Sequence, residues 1–153
     1  MLMTREEFEQ KRRDLLVALS QKFHLKYTPV EDDIILIGKD YAVVFYLLMG
    51  ETDVDYWLFN GKGIIEYPFR NFIFSTATKA DRENIQWQKG FYGGAYADLQ
   101  LLVNLFNHRW SRIMLGDRSW LKQYHQSEDG YEPSVNNSPT AEYVVRIMQS
   151  THK

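Results

Sequence analysis

The sequence predicts a single α+β domain, in which an antiparallel β-meander of four to five strands has an N-terminal helix and C-terminal helices packed on one face. Apolar residues recur with helical spacing near both ends of the 153-residue chain. Between them lie short runs of β-branched and aromatic residues separated by turn residues. The length fits one domain, and no repeat or linker divides residues 1–153.

The first helix is predicted over residues 5–24. Thr4 and Glu7 have the spacing of a capping box, in which two side chains satisfy two free amide donors at a helix start. The apolar residues that follow lie on one helical face. They are Phe8, Leu15, Leu16, Leu19 and Phe23.

Four strands of the meander follow from composition and turn residues. They are predicted at 34–37, 41–49, 54–59 and 64–67. Residues 50–53 are predicted to turn the chain, and Asn60 with Gly61 is the pair preferred in a two-residue type I′ turn. Residues 68–78 combine helical spacing with strand composition, and we favour a fifth strand there. Residues 79–94 are predicted to be a surface connection.

The C-terminal part of the chain predicts helices. Apolar residues step by three and four over 95–115, and Gly116 is positioned to end that helix. Asp117 can cap a short helix after it. Ser138 as N-cap and Pro139 in the first turn open the last helix.

Composition excludes several classes of function. Because 18 basic residues face 20 acidic ones, the net charge of −2 argues against a protein that coats nucleic acid. The absence of cysteine excludes disulfides, thiol nucleophiles and cysteine-ligated metals. The longest apolar run, 41–49, is too short to cross a bilayer, and the N-terminus lacks the apolar core of a signal peptide. We therefore expect no membrane partner and a cytoplasmic location.

Negative charge is concentrated in the predicted meander, where residues 31–55 hold seven acidic residues and one basic residue. Glu51, Asp53 and Asp55 alternate, so an extended backbone places their carboxylates on one side. Acidic groups beside exposed aromatic rings would suit a cationic protein partner. The predicted partner-binding residues are Glu51, Asp53, Asp55, Tyr56, Trp57, Asp32 and Asp33.

The same residues also fit a purely structural interpretation. Charged hairpins keep sheets soluble, and inward-facing tyrosine and tryptophan side chains build a core. A metal site is not predicted, because residues 51–57 lack the sixth-position glycine and the distal glutamate of a calcium loop. No cofactor is predicted.

No catalytic residue is predicted, and the chain is expected not to be an enzyme. Ser119 follows Arg118 and lacks the glycine frame of a nucleophile elbow. A competing hypothesis is an enzymatic or small-ligand domain, with a pocket between sheet and helices near Trp110, Trp120 and Tyr124. A homo-oligomer that uses its aromatic residues in a self-interface is a third possibility, so the oligomeric state stays open.

The order of elements, the small size and the helix junction Leu115-Gly116-Asp117-Arg118-Ser119-Trp120-Leu121 resemble the small immunity proteins of bacterial toxin–immunity systems. These include the partners of contact-dependent growth-inhibition toxins. The resemblance implies a non-enzymatic cytoplasmic inhibitor that binds its cognate toxin at the active site or a nearby surface. Many such toxins are nucleases or other enzymes with basic clefts, which an acidic patch could occupy. The modest net charge departs from the very acidic immunity proteins, so direct mimicry of nucleic acid is not predicted.

Overall fold

The computed structural model describes residues 2–151. Its helices are α1 (Arg5–Lys22), α2 (Arg70–Ser75), α3 (Lys79–Arg82), α4 (Phe91–Asn107), α5 (Ser111–Met114), α6 (Trp120–Gln126) and α7 (Pro139–Thr151). Its strands are β1 (Lys26–Val30), β2 (Asp33–Ile37), β3 (Tyr41–Leu48), β4 (Glu51–Phe59), β5 (Ile64–Pro68) and β6 (Ser134–Asn136). None of the helices within residues 2–151 has the length and apolar character needed to cross a membrane.

The strands form one antiparallel sheet in the order β1-β2-β3-β4-β5-β6. The α+β class is confirmed, but the sheet has six strands where four to five are predicted. The two additional strands are the edges. β1 contains Pro29, which lacks an amide donor, and β6 is only three residues long.

Strand β3 turns directly into β4 through Met49 and Gly50, which occupy left-handed backbone conformations with φ of 53° and 78°. Leu48 and Glu51 are paired across this two-residue turn. The predicted turn over 50–53 is therefore wrong, because Glu51 already belongs to the strand.

The connection from β4 to β5 is longer than predicted. It is a four-residue loop, 60–63, in which the side-chain oxygen of Asn60 accepts the amides of Lys62 at 2.9 Å and Gly63 at 3.0 Å. Gly61 has φ of 92°, in the left-handed region. The type I′ turn centred on Asn60 and Gly61 is wrong, because Asn60 is not left-handed and its amide instead donates to the carbonyl oxygen of Gly63 at 3.1 Å.

The segment after β5 is helical. The predicted fifth strand over 68–78 is wrong, since α2 buries Phe72 and Ile73 in the core. The predicted connection over 79–94 contains α3 and the start of α4. The predicted helix over 95–115 is divided, because α4 ends at Asn107 and α5 follows after a break.

Several predicted helix ends are confirmed, but Asp117 is not the N-cap of α6: the helix begins after Ser119, and the Asp117 side chain accepts the Ser119 amide at 2.8 Å. Thr4 and Glu7 form the predicted capping box, although α1 ends at Lys22, two residues earlier than predicted. Gly116 has φ of 91° after α5. The Ser138 hydroxyl accepts the amide of Ala141 at 3.1 Å at the start of α7.

Both faces of the sheet are covered by helices, which corrects the expectation of one covered face. Helices α1, α2, α4, α5 and α6 pack on the face that carries Val43, Phe45 and Val54. Helix α7 packs on the opposite face. Its core there consists of Ile35, Ile37, Ala42, Val44, Trp57 and Ile64 with Ala141, Val144, Ile147 and Met148.

Candidate protein-interaction surface

Strand pairing gathers four carboxylates on the face of the sheet to which α7 is packed. Glu51, Asp53 and Asp55 alternate along β4 with the buried Thr52 and Val54, which face the other side. Glu66 on β5 lies on the same face, because it is paired with Trp57, which follows Asp55 in the same alternation along β4. We call Glu51, Asp53, Asp55 and Glu66 the acidic face.

Neutral donors support the inner carboxylates. The Tyr46 hydroxyl donates to Oδ1 of Asp55 at 3.2 Å, and Nε1 of Trp57 donates to Oε1 of Glu66 at 3.0 Å. The Asp53 carboxylate accepts the amide of Val54 at 2.7 Å. Within residues 2–151, no ion pair involves Asp53, Asp55 or Glu66. These three carboxylates are therefore not neutralised by a direct ion pair within the described residues.

Burial and repulsion by neighbouring carboxylates disfavour the charged state of Asp53 and Asp55. Asp55 is only 7% exposed, and burial, followed by the charges of Glu66 and Asp53, raises its pKa to about 8. Burial also raises the pKa of the half-buried Asp53, while the Val54 amide and Arg70 oppose the rise. Asp55 is therefore largely protonated at neutral pH and adds little charge, whereas Glu51 and Asp53 are more accessible to a partner.

The outer carboxylate, Glu51, is partly compensated by an arginine. Arg70 Nη2 lies 3.1 Å from Asp98 Oδ2 on α4 and 3.6 Å from Glu51 Oε2. Its Nε also donates to the carbonyl oxygen of Thr52 at 3.1 Å. One arginine is shared between two carboxylates, so the set of Arg70, Glu51 and Asp98 keeps a net negative charge. Its contacts also link the β3–β4 hairpin to α4.

Replacing Arg70 with methionine is expected to lower the free energy of unfolding by about 2 kcal/mol, because the largely buried Asp98 then loses its cation. Burial already raises the pKa of Asp98, and Arg70 opposes that rise. Urea unfolding measures the change. A second variant, R70M with Asp98→Asn, should lose less than R70M alone. Equal or greater loss in the double variant would show that the charge pair is not the cause.

The structure separates Asp32 and Asp33 from the acidic face. Asp32 lies in the β1–β2 turn, 3.5 Å from Arg5 Nη2, and its carbonyl oxygen accepts Arg12 Nη1 at 2.9 Å. Burial raises the pKa of Asp33, while Arg12 opposes the rise. Asp32 is therefore paired with Arg5, and both acids lie in the β1–β2 hairpin, with β3 between β2 and β4, so they are not included in the acidic face.

Tyr56 and Trp57 are not exposed rings, which corrects the aromatic part of the predicted surface. Tyr56 is fully buried under the helices, with its ring centroid 4.8 Å from that of Trp120. Trp57 is buried on the opposite face in the core beneath α7. Adjacent strand residues point to opposite faces, and here both faces are covered.

Sequence reasoning missed Tyr46 and Glu66. The signal for Glu66 was available, because pairing β4 with β5 places a residue of β5 opposite Trp57. The predicted two-residue turn at Asn60 and Gly61 would have placed Glu66 opposite Asp55, on the same face, because a register shift of two residues does not change the face. The pairing of Tyr46 with Asp53 depends on the tight turn at Met49, which the sequence did not indicate.

The space expected to form a pocket near Trp110, Trp120 and Tyr124 is occupied by the rings themselves. All three side chains are buried. The centroids of Trp120 and Tyr124 are 5.8 Å apart, and Phe72 lies 5.5 Å from Trp110. These rings form part of the core.

Comparison with known proteins assigns no family, because no family model, curated protein or solved structure matches the chain. In the part of the chain that the structure describes, no three histidine, aspartate or glutamate side chains are grouped as metal ligands. The acidic face is the feature from which a function can be argued.

Proposed function

We propose that this protein is a non-enzymatic immunity protein that binds and neutralises a cognate bacterial toxin domain in the cytoplasm through its acidic face. The observation that carries the proposal is the set of four carboxylates on one sheet face, three of which make no ion pair within residues 2–151. A toxin with a basic substrate cleft, such as a nuclease, has the complementary charge.

A cationic partner would supply what the acidic face lacks. Lysine or arginine side chains placed over Glu51 and Asp53 would oppose the rise in the pKa of Asp53 that burial causes, and the charge of Glu66 would add to the attraction. Complementary charge of this kind mainly accelerates association and selects the partner. The proposed affinity therefore depends on salt concentration.

The test is a charge reversal at the two accessible positions, Glu51→Lys with Asp53→Lys. Asp55 is left unchanged because its side chain is buried. Affinity for the purified toxin domain encoded beside this gene should weaken by about tenfold or more at low salt, mostly through a slower association rate. Biolayer interferometry at two salt concentrations measures both quantities.

A matched control reverses two exposed acids of the α6–β6 loop, Glu128→Lys with Asp129→Lys. It changes the net charge by the same amount but leaves the acidic face intact. The proposal requires that this control keep near wild-type affinity. Equal weakening by both pairs would indicate a general charge effect, and unchanged binding by the first pair would remove the acidic face from the interface.

A further inference from the structure

We propose that the β3–β4 hairpin tip and the start of α4 form the apolar anchor of the partner interface, beside the acidic face. The anchor consists of Leu2, Leu48, Met49 and Phe91, which we call the apolar tip. This inference rests on the proposed function and adds the chemistry of the partner: a polypeptide that presents apolar side chains next to lysine or arginine.

Three chain segments meet at the apolar tip. A Cβ atom placed on Gly50 would lie 3.2 Å from the Phe91 ring, so the turn lies directly on that ring. A Cβ atom placed on Gly90 would lie 3.3 Å from the Leu2 side chain. The N-terminal segment, the hairpin turn and the first residue of α4 are therefore contiguous.

All four apolar side chains of this tip are exposed, and Met49 is 90% exposed. A soluble protein ordinarily places isolated apolar residues on its surface, whereas contiguous ones mark an interaction site. Large, flexible or aromatic side chains such as methionine and phenylalanine are enriched in the centres of interfaces.

The backbone at Met49 gives an independent indication. Its φ of 53° is left-handed, a conformation that disfavours residues other than glycine, asparagine and aspartate. A two-residue turn of this kind prefers asparagine or aspartate before glycine. The exposed Met49 side chain makes no core contact that would compensate for this conformation, so methionine does not favour stability at this position. Residues in such strained conformations cluster at functional sites.

The neighbouring charge identifies the partner. Leu48 is paired with Glu51, and Tyr46 with Asp53, so the apolar tip continues into the acidic face without a break. The same carboxylates would repel the anionic headgroups of a bacterial membrane. A cationic polypeptide therefore fits this surface better than a lipid bilayer.

The test variant is Met49→Asn in the full chain. Because asparagine suits the left-handed turn, the variant should melt about 3 °C higher than the wild type. The binding probe is a fluorescein-labelled 18-residue amphipathic helix of leucine and lysine, measured by anisotropy. Met49→Asn should weaken its binding by at least about tenfold, which a loss of folding cannot explain in a more stable protein.

Leu115→Asn is the matched control. Leu115 is also exposed, but it lies near Tyr41, at the opposite end of β3 from the hairpin turn, since the carbonyl of Met114 accepts the Tyr41 hydroxyl at 2.8 Å. The Leu115→Asn variant should bind the peptide with the affinity of the wild type. A second peptide with serine in place of leucine should bind at least about tenfold more weakly to the wild type.

Several outcomes would overturn the anchor: no binding of the leucine–lysine peptide, wild-type binding by Met49→Asn, or sedimentation with phosphatidylcholine or phosphatidylglycerol vesicles in place of peptide binding. A dimer that Met49→Asn dissociates would also overturn it, since the tip would then be a self-interface. The two proposals remain separable. If Met49→Asn loses peptide binding and the double variant Glu51→Lys, Asp53→Lys keeps it, the apolar tip alone is supported. If the double variant loses binding and Met49→Asn keeps it, only the acidic face is supported.

Discussion

Replacing Trp120 with alanine is expected to lower the free energy of unfolding by about 4 kcal/mol, within the range for removal of a fully buried tryptophan. Its side chain is 0% exposed. Its ring lies 4.8 Å from Tyr56 on the sheet and 5.4 Å from Phe69 after β5, measured between centroids. The loss combines removed apolar contact, a cavity between sheet and α6, and lost edge-to-face ring contacts.

Urea unfolding followed by circular dichroism measures this effect. Trp87→Ala is the control, because Trp87 is 60% exposed in the segment before α4 and should change the free energy of unfolding by less than about 0.5 kcal/mol. A loss below about 1 kcal/mol for Trp120→Ala would mean that the aromatic cluster does not hold the helices to the sheet.

The second large effect concerns pH. Asp55 has a pKa raised from the ordinary value to about 8 in the folded protein, so between about pH 4 and pH 8 the folded state binds more protons than the unfolded state. Stability from this group is complete at low pH and is lost as the pH rises towards 8. The free energy of unfolding should fall by up to about 1.4 kcal/mol per pH unit between pH 5 and pH 7.

Asp55→Asn should remove most of that slope, because asparagine can still accept the Tyr46 hydroxyl but cannot ionise. Above pH 8 the variant should be more stable than the wild type. Urea unfolding at pH 5, 6, 7 and 8 measures both slopes. Glu51→Gln, at the exposed end of the acidic face, should keep the wild-type slope. An unchanged slope in Asp55→Asn would show that Asp55 is already ionised at neutral pH.

The parts of the fold that follow from local chemistry could be predicted from the sequence. The Thr4 and Glu7 capping box and the Ser138 cap depend on a few neighbouring residues, and both form as expected. β1 and β6 could not be found this way, because Pro29 and the three-residue length of β6 give no strand pattern. They become strands because they pair with β2 and β5, which depends on tertiary structure and not on local sequence.

Part of the candidate site was predictable for the same reason. The alternation of Glu51, Asp53 and Asp55 sets their common face once β4 is extended. Exposure was not predictable, because it depends on distant elements: α7 covers Trp57, and α6 covers Tyr56. The ion pairs of Arg70 with Glu51 and of Arg5 with Asp32 were not predictable either, because tertiary contacts bring these side chains together.

The two outer strands limit how any partner can approach this molecule. Pro29 interrupts the row of amide donors on β1, and β6 offers only three residues for further pairing. Recognition by addition of an extended peptide to the border of the sheet needs a continuous row of free backbone groups. Under the proposed function, the partner is therefore distinguished by side chains and shape, and point substitutions can change specificity without any change in backbone pairing.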